Sequence, residues 1–114
     1  MTPLEQSARA LGEALGTSTE FRELVAREKA YAADAAAQAL VKQAQELGAR
    51  VIAIQKSGTK PDPAEVRRIA EVQTNLAACE VVNRLIAAQK AYEALAQRLN
   101  TLVQSVVEEH RKTP

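Results

Sequence analysis

The stretch "AREKAYAADAAAQALVKQA", residues 26–44, decides the fold. Nearly half of it is alanine, it holds no glycine or proline, and its one bulky aliphatic cluster is Leu40 with Val41. Alanine loses no side-chain entropy in a helix, and a face lined with it lets a neighbouring backbone come close. Steps of three and four residues extend the pattern through Ala26, Ala30, Ala33, Ala37, Leu40, Ala44, Leu47, Val51 and Ile54. That is a heptad seam whose first half is entirely alanine, and it reads as a close helix-packing surface.

Working outward, "GTSTEF" at residues 16–21 precedes the seam. Thr17 and Glu20 have the spacing of a capping box, with Ser18 as the alternative cap. From there no proline intervenes before Gly58, and the lone Gly48 is tolerated, so the pattern predicts one helix over about 18–57, about 60 Å long. Upstream, Thr2 and Pro3 read as N-cap and first helical position of a short helix carrying Leu4, Ala8, Leu11 and Leu15 and ending at Gly16. Downstream, "SGTKPDPAEV" at residues 57–66 is a strong helical connection. Gly58 stops one helix, and Asp62, Pro63 and Glu65 read as N-cap, first position and return cap of the next. So short a connection makes its helices antiparallel neighbours.

Between Pro63 and Pro114 there is no glycine or proline. The apolar face nevertheless changes: Val66, Ile69, Val72, Leu76 and Cys79 form one stripe, and Ala78, Val81, Leu85, Ala88, Tyr92, Leu95, Leu99, Leu102 and Val106 another. A bend or break is therefore expected between Leu76 and Val82. The fold class is all-α: a short N-terminal helix, a long antiparallel hairpin and an extended C-terminal helix in one domain, 1–114.

Alanine seams bury little, while the second half of the chain carries more large aliphatics than one hairpin covers. The chain is thus expected to self-associate as a homodimer or higher homo-oligomer, an oligomeric helical bundle, through Leu85, Tyr92, Leu95, Leu99, Leu102 and Val106.

Charge and composition narrow the function. Fifteen basic and fourteen acidic residues are interspersed, giving a net charge of +1, and only three aromatic residues occur. Such a chain lacks the basic, aromatic-studded stripe of a direct nucleic-acid binder. The N-terminus has neither a signal peptide's basic start nor its apolar run, and no stretch approaches a membrane span, so a cytoplasmic location without membrane insertion is expected. One cysteine precludes an internal disulfide framework. Cys79, on an apolar stripe, reads as a buried small hydrophobe. His110, in "VVEEHRKTP", reads as a helix C-terminal residue favoured by the dipole. Asn83 interrupts an apolar run, either on a solvated face or as a register-setting polar residue. No catalytic residue, cofactor or metal ligand is expected, and the chain reads as a non-enzyme.

Two longer stretches carry a resemblance. "ALGEALGTSTEFRELVAREKAYAAD" at residues 10–34 and "CEVVNRLIAAQKAYEALAQRLNTLVQSVV" at residues 79–107 are similar to the opening and closing helices of the YlbF/YmcA family of small helical bacterial proteins, with its YheA-like members. The shared features are the Ser/Thr-capped break, Phe21, the valine pair Val81–Val82, Ala88 before Gln89, and the aliphatic repeat to the C-terminus. Members often have Asn-Pro where this chain has Cys79-Glu80, so a proline-marked break is lost. Some carry cysteines implicated in iron–sulfur assembly, which one cysteine does not match. The resemblance implies a cytoplasmic, non-enzymatic regulator or adaptor of competence, sporulation and biofilm development, working through protein partners of an RNA-processing complex. The alternative is an accessory protein that binds RNA directly. An enzyme would need chains brought together to combine Glu, His110 or Cys79.

Overall fold

The computed structural model describes residues 1–112. They form helices α1 (Pro3–Gly16), α2 (Thr19–Ala32), α3 (Ala35–Ser57), α4 (Pro63–Ala77) and α5 (Glu80–Lys112), with no strand among the described residues. The chain resolves into two compact units, one made of Met1–Ala26 with the chain from Ile86 onward, the other of Arg27–Leu85.

In the first unit, α1 starts as its sequence dictates. The Thr2 hydroxyl accepts from the Glu5 amide at 3.2 Å and the Glu5 carboxylate accepts from the Thr2 amide at 3.4 Å, while Pro3 occupies a position that needs no donor. At the other end Thr17 closes α1, its hydroxyl donating to the Glu13 carbonyl at 2.9 Å. The cap of α2 is therefore Ser18, whose hydroxyl accepts from the Phe21 amide at 3.2 Å. The alternative cap is the one used, and its hydroxyl serves both helices, donating to the Leu15 carbonyl of α1 at 2.6 Å while it accepts from α2.

The second unit corrects the long helix expected over 18–57, which is two helices broken at Ala33–Asp34. Asp34 takes extended backbone angles, φ −111° and ψ 92°, and its carboxylate accepts from the Ala37 amide at 2.9 Å. Gln38 then reaches back, its side-chain amide donating to the carbonyls of Tyr31 and Ala32 at 2.9 and 3.0 Å. Both helix ends thereby gain partners from side chains that lie within five residues of each other, and an aspartate able to do this competes with continued helix.

Helices α3 and α4 form the expected antiparallel hairpin. Gly58 closes α3 in the left-handed region at φ 72°, donating to the Ile54 carbonyl at 3.1 Å. Asp62 caps α4 by accepting from the Ala64 amide at 3.2 Å. Glu65, expected to reach back to that cap, instead holds Arg50 of α3 across the hairpin at 3.1 Å.

A second break, at Ala78–Cys79, falls in the window where the apolar face changes. It repeats the device of the first: the Asn83 side-chain amide donates to the Ala77 carbonyl at 2.7 Å. Asn83 is exposed and acts as a local cap. Missing the proline, the chain still breaks here, because an amide side chain one turn into α5 satisfies a carbonyl that the end of α4 leaves open.

The buried apolar residues among those described are Ala37, Val72 and Val82 in the second unit and Ala88 in the first. No large side chain is completely sealed from solvent.

Candidate interaction surface

The residues of the alanine seam divide at the Asp34 break. Ala26, Ala30 and Ala33 are exposed, whereas Ala37 is buried and Leu40, Ala44, Leu47, Val51 and Ile54 are half-buried along α3. Ala44, Leu47 and Val51 line a cleft together with Ile69 and Val72 of α4. The inward residues of α2 are instead Phe21, Leu24, Val25 and Tyr31. A break in the helix resets the angular frame, so a period that runs smoothly through the letters does not run smoothly through space.

The C-terminal stripe behaves differently. Leu85, in the second unit, is half-buried. In the first unit Tyr92, Leu95 and Leu99 are half-buried, and they have partners: Tyr92 stacks at a tilt on Phe21, with ring centroids 5.7 Å apart, and Leu95 and Leu99 line a cleft with Leu11, Ala14 and Leu15 of α1. Leu102 and Val106 are left open, 60% and 43% exposed. So are Val103 and Val107, at 49% and 53%, which a strict heptad reading leaves out of the stripe. Every residue from Asn100 to Lys112 is exposed.

At about 100° per residue, Leu102, Val106, Leu99, Val103 and Val107 lie in that angular order across about 140° of the α5 surface. An apolar arc that wide matches a helix packed into a core, and it exceeds the narrow seam of a two-stranded coil. Leu102, Val103, Val106 and Val107, four adjacent aliphatic side chains, stand open to water.

Charges frame this arc. Arg98, exposed, approaches the half-buried Glu20 at 3.9 Å, and Glu108 pairs with Arg111 at 3.4 Å, both exposed. His110, Arg111 and Lys112 sit in the last turn of α5, where cations oppose the helix dipole favourably. Cys79 is half-buried at the second break and carries no disulfide. Among the described residues there is no cluster of three or more histidine, cysteine or acidic residues that could hold a metal ion. No helix among them is long and apolar enough to cross a membrane.

An all-α chain with capped helix breaks, one close hairpin and an open apolar arc defines a helical packing module. The chain belongs to the family described as "Control of competence regulator ComK, YlbF/YmcA", whose pattern matches residues 4–108 and so runs through both units. That description is of a regulatory role. A solved structure, a "Protein of Unknown Function (DUF964) from Bacillus stearothermophilus", shares the fold: it superposes with a TM-score of 0.67 over 98% of each chain at 20% identity. A comparison with curated proteins gives no match.

Proposed function

We propose that the protein is a non-enzymatic cytoplasmic adaptor that self-associates through the first unit and presents helical surfaces to protein partners. The observation that carries this reading is the uncovered arc at Leu102, Val103, Val106 and Val107, in a chain whose described residues bury only four apolar side chains. Covering it removes aliphatic surface from water at about 25 cal/mol per Å², a gain unavailable to the isolated chain. The family match through both units supports treating the chain as one functional domain, and the family's description supports a regulatory task in competence; a part in sporulation or biofilm development through an RNA-processing complex is what the resemblance of the two longer stretches implies.

Light scattering coupled to size-exclusion chromatography, over a dilution series, tests the first half: a dimer or larger assembly is expected, and a monomer at every concentration overturns it. A gel shift with single-stranded RNA at low salt tests the second. No shift is expected from a chain of net charge +1 with interspersed signs. A shift that vanishes as salt rises would make the protein a direct RNA binder.

A further inference from the structure

The geometry points to one face of the α3–α4 hairpin as the docking groove for an amphipathic helix of a partner protein, its aliphatic side lying between Ile52 and Val66 and its acidic end reaching Lys56 and Lys60. This rests on the adaptor reading above, and it assigns partner docking to the second unit while leaving self-association to the first. Two clefts run together along the hairpin. Ala44, Leu47, Gly48 and Val72 line the one toward its base, Ile54, Gln55, Lys60 and Pro61 the one at its tip, and Val51 and Ile69 belong to both. At about 100° per residue, Ile52 of α3 and Val66 of α4 turn to that same side. They are 55% and 50% exposed. Arg50 and Glu65 pair on the opposite side. The hairpin thus shows water an apolar groove walled by two bare aliphatics, the shape into which an amphipathic helix lays its apolar face.

Gly48 sets how close that helix comes. It lies inside α3, where glycine weakens a helix relative to alanine, and a methyl built on it meets nothing within 4 Å. No neighbour in the chain needs its bareness. With Ala44 one turn away, it opens the groove floor to the backbone, and so small a floor lets two helix axes approach to about 8 Å. The rim decides the chemistry of the occupant. Lys60 lines the tip cleft, Lys56 turns to the same side of α3, and both are exposed. Among the described residues neither side chain has an ion pair or hydrogen bond. The hairpin's acids are elsewhere: Glu65 holds Arg50, Asp62 caps α4, and Glu46 and Glu71 lie about 140° round their helices from the groove. A second copy laying its own groove here would bring lysines and no carboxylate, whereas an acidic helix supplies the complementary charge. Nucleic acid would supply charge too, but no aromatic ring stands between Leu40 and Ala77 for a base to stack on.

Isoleucine δ1-methyl NMR of the full chain tests this, because its four isoleucines are Ile52, Ile54 and Ile69 in the hairpin and Ile86 in the first unit. The probe is a synthetic helical peptide with leucines at i, i+3, i+4 and i+7 and glutamates in its first turn; the control peptide has lysines in place of the glutamates. Saturable shifts at Ile52, Ile54 and Ile69 are expected, with Ile86 unmoved and the control binding about tenfold more weakly. Lys56→Glu combined with Lys60→Glu should weaken the acidic peptide about tenfold and strengthen the control. Gly48→Leu should keep the helical circular dichroism and, by filling the floor, prevent either peptide from binding. Hairpin methyls that stay still, or that move regardless of the peptide's charge, overturn the proposal. So do hairpin shifts produced by concentrating the protein alone, which make the groove a contact between copies, and shifts driven by single-stranded RNA that fade with salt. A response at Ile86 alone moves partner docking to the first unit, so the groove assignment falls while the adaptor reading stands.

Discussion

Replacing Asp34 with alanine separates two descriptions of the chain by the sign of the result. In the structure Asp34 ends one helix and starts another, accepting from the Ala37 amide at 2.9 Å with its backbone extended. Losing an N-cap costs about 1 kcal/mol, and losing a carboxylate at a helix N-terminus a further ~0.5 kcal/mol. Asp34→Ala should therefore destabilise by about 1.5 kcal/mol, which in a chain of this size lowers Tm by about 6 °C. Were α2 and α3 one helix, the same change would replace a poor helix former by the best one and stabilise by about 0.6 kcal/mol. Thermal unfolding followed by circular dichroism at 222 nm, at one fixed protein concentration, measures the difference. Asp34→Asn, which keeps the accepting oxygen and loses only the charge, should fall by about 2 °C. A higher Tm for Asp34→Ala would refute the break, and an equal loss in both variants would refute the hydrogen bond as its cause.

Val72→Ala should cost about 2 kcal/mol, seen as a lower urea midpoint, since Val72 is 7% exposed and meets the α3 seam. Gly58→Ala should cost about 1 kcal/mol in the same assay, because a side chain at φ 72° is strained even where, as here, nothing stands within 4 Å of the new methyl. Gln38→Ala and Asn83→Ala should each cost about 1 kcal/mol, with hydrogen exchange of the adjoining helix ends accelerating locally. Arg50→Ala should change stability by less than about 1 kcal/mol, since its ion pair with Glu65 is open to water.

The helical class, the Thr2 cap and the turn at 58–62 were legible in the letters because each is fixed by chemistry within one turn of itself. The Ala78–Cys79 break was legible more indirectly, through the change of apolar face. The Asp34 break was not, because alanines on both sides raise helix propensity to its maximum and no glycine or proline marks the place. Its signal was the pair Asp34 and Gln38, one able to accept from the new helix and the other to donate to the old. The C-terminal arc shows the other limit. Periodicity identifies Leu95, Leu99, Leu102 and Val106 as one stripe, but only tertiary structure shows that α1 reaches the first two and stops short of the others.

The first unit is assembled from the two ends of the chain, Met1–Ala26 and the helix beyond Ile86, with the whole hairpin threaded between them. The hairpin α3–α4 joins helices that are neighbours in sequence, whereas the first unit joins segments from the two ends of the sequence. Leu11 and Leu15 must wait for Leu95 and Leu99, the residues with which they share a cleft. Contacts within the hairpin close a short loop and those between α1 and α5 a long one, so the hairpin is expected to form first. A chain cut before α5 would lose the residues against which Leu11 and Leu15 pack and, with them, the exposed arc at Leu102–Val107.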